Sequence, residues 1–202
     1  MTTVSTTSPV TPEERWGAIG TYGAHGMTGG QALARNFDHA AGAGIPPLTT
    51  SDGVVVRLRY LAWNSRGSAC LAQAGIQVTH RTMSRWRNGT QRPRPANLLK
   101  INQAFWQCRR ASLVEHYKRR MWDGGRGTSI EINPVDQTAV QPGRKRDLRM
   151  RRINVRREWE PIVDAWSTND HTELEDLWCR ITEALGSDHD AYLYVSHLGF
   201  GI

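Results

Sequence analysis

The sequence predicts a mainly α protein. Short helices and one long basic helix fill its middle, and a small α+β unit, ordered strand–helix–helix–strand, follows toward the C-terminal end. Three observations predict this. Apolar residues recur at helical spacing from Val54 to Met121. Ala96–Trp122 runs for 27 residues without Pro or Gly. Alternating, strand-like segments occur only after Gly127. With 39% hydrophobic residues and a mean hydropathy of −0.55, the chain can build a packed core, but not one that enlists all 202 residues.

The elements follow in order. Met1–Thr11 is rich in Ser and Thr and reads as disordered, and Pro12–Gly30 as largely irregular. Gln31–Ala41 places Leu33, Phe37 and Ala40 at helical spacing. Residues 1–53 therefore form a flexible N-terminal region with one short helix, closed by a Pro46-Pro47 linker. In Val54–Trp63 the apolar stripe is Val55, Leu58 and Leu61–Ala62, with Arg57 and Arg59 off it. Ser68–Ala74 is a second short helix, and Gly75–Val78 is a turn anchored by Ile76 and Val78. Thr79 N-caps a third helix over His80–Asn88, and Gly89 sits where a left-handed C-terminal cap belongs. Pro93 and Pro95 hold Arg92 and Arg94 in an extended arm. The helix that follows could reach roughly 40 Å. Residues 54–126 make one domain and 127–202 another. The latter holds a strand at Thr128–Asn133, with Ile130 and Ile132 on one face, and a basic strand at Leu148–Val155. Helices follow at Arg157–Thr168 and Thr172–Leu185, the second capped by Thr172, and a terminal strand at Ala191–Phe200.

Charge is distributed unevenly. Arg57–Arg126 carries 15 basic residues against Glu115 and Asp123, and Arg144–Arg157 carries 8 against Asp147. Glu158–Ile202 has Arg180 alone against ten acids. A solvated surface does not need such an excess in its middle, because self-repulsion works against compactness. A polyanion partner for the middle does account for it. Arginine dominates, with 23 of the 26 Lys and Arg residues, and its planar fork suits phosphate oxygens.

Several classes drop out. No run approaches the roughly 18 apolar residues of a membrane span, and Met1–Thr7 lacks a secretion signal. The expected location is therefore cytoplasmic, and nucleoid-associated where the basic middle takes DNA as its polyanion. Cys70, Cys108 and Cys179 form neither a disulfide framework nor a C-x-x-C pair, and read as buried reduced thiols. The seven histidines show no H-E-x-x-H or H-x-x-x-H spacing, and there is no G-x-S-x-G or phosphate-cradling loop. No catalytic residue, no metal and no cofactor is expected; the chain does not read as an enzyme.

The informative stretch is Ser68–Gly89. Two short helices around a tight turn, the second basic and hydroxyl-rich, form a helix-turn-helix pattern. Leu71 and Ala72 allow close approach, and Met83 and Trp86 face the core. Arg81, Ser84, Arg85 and Asn88 then face outward with Thr82 at the border, and Arg87 completes the basic set. Arg forks onto guanine, Asn onto adenine, and Ser or Thr onto bases or phosphates. Arg92 and Arg94 suit backbone or minor-groove contact. The bland alternative is a small helical bundle with an exposed basic face.

His80–Pro95 (HRTMSRWRNGTQRPRP), leading into a long basic helix, resembles the telomere-protecting terminal proteins of linear bacterial chromosomes and plasmids. Arg59-Tyr60-Leu61, Ala32-Leu33 with Phe37, Ile130-x-Ile132 after Gly127, and His197-Leu198-x-Phe200 are similar too, and the resemblance spans roughly Gln31–Thr138. It implies a helix-turn-helix DNA-binding core that caps the ends of a linear replicon. It also implies a protein primer that accepts a nucleotide on a side-chain hydroxyl. The implied partners are telomeric DNA, a telomere-associated DNA-binding protein and a DNA polymerase, whose metal ions would activate the hydroxyl. Thr128, Ser129 and Thr138 are the hydroxyls available after the long helix. Thr138-Ala139-Val140 is similar to the Thr-Ala-Pro-like stretch before the family's priming threonine, while the aligned downstream position falls near Arg144, which has no hydroxyl. Thr138 is the candidate. The basic strand before two acidic helices also suits a ribbon-helix-helix arrangement, homodimerisation or partner docking. The competing function is a sequence-specific transcription regulator of plasmid or phage origin.

Overall fold

The computed structural model describes residues 23–201, so the N-terminal segment read as disordered lies outside the described residues, as does part of the Gly-rich stretch. The fold is mainly α, with seven α-helices and one four-stranded antiparallel sheet among the described residues. Two compact units emerge. A helical unit holds residues 37–121 and 163–170; a sheet unit holds 122–162, 171–201 and the described part of Met1–Asn36. The elements are β1 (Met27–Thr28), α1 (Gly29–Gly42), α2 (Ser51–Trp63), α3 (Gly67–Gln73), α4 (His80–Arg87) and α5 (Pro95–Trp122). They continue with β2 (Thr128–Pro134), β3 (Arg151–Val155), α6 (Trp159–Thr168), α7 (His171–Thr182) and β4 (Tyr194–Gly199).

The core of the helical unit is built where α2 meets α3, α4 and α5. Val54, Leu58 and Leu61 of α2 are buried with Cys70, Ala74, Ile76, Trp86, Ile101, Ala104, Phe105 and Cys108. The buried stripe of α2 is thus rotated from the expected one. Val54 is inside, Val55 is half-buried and Ala62 is exposed. Arg57 turns inward with the stripe and is 6% exposed. It is tolerated there because its donors are satisfied: Nη1 donates to the carbonyls of Pro46 and Gly53 at 2.8 Å, and Nε donates to Asn102 Oδ1 at 3.0 Å. Its guanidinium carbon lies 5.2 Å from the Phe105 ring centroid, and burial lowers its pKa from the ordinary value.

The expected close approach through Leu71 and Ala72 is also corrected. Leu71 is half-buried and Ala72 exposed; the small buried residues of α3 are Gly67 and Cys70, with Ala74 just beyond its end. These stand at i, i+3 and i+7, one helical face. A Cβ at Gly67 would come within 1.7 Å of the Leu61 carbonyl oxygen, so only glycine lets α3 start this close to α2. In α5, Pro95 occupies the first helical position, where its missing N–H costs nothing.

The sheet order is β1-β4-β2-β3. Ile130 and Ile132 are fully buried, as their alternation predicted. Register pairs Ile130 with Ile153 and Glu131 with Arg152, so Ile153 and Val155 face inward while Arg152 and Asn154 face out. The basic strand is shorter than expected, because the Leu148 N–H donates to the Arg146 carbonyl in a turn and pairing starts only at Arg151. β1 falls in a stretch expected to be irregular. Its two residues pair with Val195 and Tyr194, and no alternation that short is visible in sequence. The register between β2 and β4 shifts at Asn133/Pro134, where proline has no N–H to give. Trp159 and Trp178 are buried, their indole N–H groups donating to the carbonyls of Thr128 (3.1 Å) and Tyr192 (3.0 Å). Helix α7 starts one residue before the expected cap, Thr172, which lies inside it.

Candidate nucleic-acid interface

Helix α4 has eight residues, too few to be stable alone, so its ends matter. Thr79 caps it as expected: the Thr82 N–H donates to Thr79 Oγ1 at 3.2 Å, and the Thr79 and Thr82 hydroxyls lie 3.0 Å apart. Both helices of the pair end in the same way. The Gly75 N–H reaches the Ala72 carbonyl and the Ile76 N–H the Leu71 carbonyl; the Gly89 N–H reaches the Trp86 carbonyl and the Thr90 N–H the Arg85 carbonyl. These are Schellman closures, and each needs a left-handed residue, met by Gly75 at φ 72° and Gly89 at φ 74°. Lys100 Nζ donates to the Gly75 carbonyl at 3.1 Å and holds the turn from α5.

Trp86 anchors α4, buried in the core with Met83 half-buried beside it. The Trp86 indole N–H is the one buried side-chain polar atom without an acceptor among the described residues, so apolar burial fixes its position. Trp86 lines a shallow hollow with Val54, Val55, Gly89, Arg92 and Pro93.

The outward side carries the predicted set. Arg81, Arg85 and Asn88 are exposed, and Ser84, between them on the same stripe, is half-buried. Their spacing of i, i+3, i+4 and i+7 makes one face. Thr82 and Arg87 are half-buried at its borders, and the Thr82 hydroxyl is engaged with Thr79 in the cap. No acid lies between Arg57 and Arg94, so the face has no intrinsic counter-charge within its own segment. His80 is exposed at the first position of α4.

The arm is partly pinned. Pro93 is buried, while Arg92 and Arg94 are exposed on either side of it. Arg92 Nη2 donates to the Thr49 carbonyl at 2.9 Å, which leaves its other donors outward, and Arg94 accepts from Asn97 and Leu98 only through its carbonyl. The eight predicted DNA-contact residues therefore belong to one continuous segment of the helical unit.

Thr138 belongs to the sheet unit, on the loop after β2. It is exposed between the buried Val135 and Val140. Its N–H donates to Asp136 Oδ1 at 2.8 Å and its hydroxyl donates to the same oxygen. These two bonds hold the Asp136 carboxyl below the usual carboxylate range. Thr128 and Ser129 are half-buried within β2. Among the described residues no group of three His, Cys, Asp or Glu side chains could hold a metal ion, and no helix is long and apolar enough to cross a membrane. Comparison with family models, curated proteins and solved structures gave no match to this chain.

Proposed function

We propose that the helical unit binds duplex DNA through the outward stripe of α4, with Arg92 and Arg94 on the backbone beside it. The observation that carries this reading is the division of one eight-residue helix: Trp86 is buried, and Arg81, Arg85 and Asn88 are exposed opposite. Arginine and asparagine are the residues that read guanine and adenine bidentately in the major groove. The excess of basic over acidic residues across Arg57–Arg126 supplies the sequence-independent attraction to phosphate.

Within that reading, the resemblance to terminal proteins favours a protein that caps the ends of a linear replicon and primes end-patching synthesis. In that reaction a hydroxyl oxygen attacks the α-phosphorus of a deoxynucleoside triphosphate and pyrophosphate leaves. The chain is then the acceptor of the nucleotide and the polymerase is the catalyst. Thr138 suits the acceptor role because it is exposed on a loop, whereas Thr128 and Ser129 are committed to a paired strand.

The experiment uses DNA ends from the source cells. Ends retained in a gel before protease and released after it, with this chain among the released peptides, support the capping reading. Free 5′ phosphates together with a footprint over one promoter support the transcription regulator instead. Incubating the Thr138→Ala chain with polymerase and a radioactive nucleotide tests the acceptor. Labelling is expected to fall to background, and undiminished labelling discards Thr138.

A further inference from the structure

The sheet unit carries its own strongly basic surface, which the reading of α4 leaves unused. Arg144–Arg157 holds 8 basic residues and one acid, Asp147. Every residue from 141 to 147 is exposed, as are Arg149, Arg151, Arg152, Arg156 and Arg157. The stretch passes through β3, which among the described residues is an edge strand paired only with β2. The ion pairs of Arg149 and Arg152 are weak restraints. Arg149 meets Asp147 at 3.3 Å with both side chains about four-fifths exposed, and Arg152 is 4.0 Å from Glu131. Arg151 is committed, paired with Asp188.

We infer that this basic edge is a second nucleic-acid contact, which grips the phosphate backbone without reading bases. Three features select that occupant. Arginine supplies seven of the eight cations, and its fork takes two phosphate oxygens at once. Six of the cations, Arg144, Lys145, Arg146, Arg149, Arg156 and Arg157, lie on exposed non-strand backbone before and after β3, where each long side chain can reach a separate phosphate. Met150 is the one large apolar side chain substantially exposed there, which gives a lipid surface little to bury. A second copy of β3 is excluded as a pairing partner by like charge, which is how edge strands avoid self-association.

The inference shares its ligand with the proposed function but not its residues, so the two fail separately. Binding of the full chain to a random-sequence duplex is measured across a salt series for the wild type and two variants. One variant carries Gln at Arg144, Lys145, Arg146, Arg149, Arg156 and Arg157. The other carries Gln only at Arg144, Lys145 and Arg146, within the exposed segment, so that a fold defect near β3 does not decide the matter. The six-fold variant is expected to lower the slope of log K against log salt by about three units or more, and the triplet by about two. In both, the ratio of affinities for specific and random duplex stays at the wild-type value. A triplet slope within half a unit of wild type overturns the inference. So does wild-type binding to polyglutamate as tight as to DNA at equal salt, which marks a general anion site. Loss of binding in α4 variants alone sinks this inference and leaves the proposed function standing. Loss in the edge variants alone does the reverse.

Discussion

Helices α2 and α4 both carry arginine beside apolar residues, and they treat it in opposite ways. In α2, Arg57 rotates into the core with Val54, Leu58 and Leu61. In α4, Arg81 and Arg85 stay outside while Trp86 goes in. The difference lies in the acceptors available. Around Arg57 the Pro46 and Gly53 carbonyls and the Asn102 side chain take its donors, and Phe105 offers a ring face. On the outward side of α4 the residues are Ser, Asn and more Arg, and the segment from Arg57 to Arg94 contains no carboxylate. Charge in a helix therefore marks a binding face only where the protein itself provides no partner. That rule turns an excess of basic residues into a specific claim about α4.

The comparison can be broken by substitution, and the largest effect belongs to the buried arginine. Arg57→Ala leaves the half-buried Pro46 carbonyl and Asn102 short of a donor and a cavity beside Phe105, and is expected to cost about 3 kcal/mol of folding stability. Sequence preference in the folded fraction should not change. Denaturant unfolding with parallel binding measures both, and a loss of preference without loss of stability would place Arg57 at the interface instead. Arg81→Ala and Arg85→Ala should do the opposite. Stability should hold within about 0.5 kcal/mol, while discrimination between the preferred and altered sites falls by about 1–3 kcal/mol per lost base contact. Competition titrations against single-base variants of the site report that number.

Smaller effects sharpen the picture. Thr79→Ala removes the cap on α4 and should cost about 1 kcal/mol, seen as a lowered unfolding midpoint with an unchanged denaturant slope. Arg92→Ala and Arg94→Ala should weaken every duplex equally and flatten the salt dependence by about one unit each. If these two behave like Arg81 and Arg85, the arm and the helix do not divide the work as described.

Much of the helical unit was legible in the residues. The Thr79 cap, the Gly89 closure and the inward Trp86 each follow from local chemistry, and each is present in the fold. Ile130 and Ile132 were legible for the same reason, because period-two alternation is a local signal. What was not legible depends on distant partners. Arg57 looked like surface because nothing nearby in sequence shows that Pro46 and Asn102 will meet it. The helix approach runs through Gly67 and Cys70 rather than Leu71 and Ala72 because the Leu61 carbonyl occupies the space a side chain would need. β1 exists only because β4, far along the chain, supplies its pairing edge. The stripe on α4 was readable by spacing, but Ser84 and Thr82 are less open than spacing alone implies, and the Thr82 hydroxyl is engaged in the cap.

The central claim is that the exposed stripe of α4 lies in a major groove. Guanine N7 is an acceptor on that groove's floor, so methylating it probes the contact directly. The bound duplex is first found by selection from random sequence, and N7-methylated copies are then sorted into bound and free pools. For the wild-type chain, methylation at one or more guanines of the site should exclude those molecules from the bound pool; for Arg81→Ala or Arg85→Ala, the exclusion at one of them should vanish. Binding indifferent to N7 methylation everywhere, or an exclusion pattern identical in the wild type and both variants, would contradict the account.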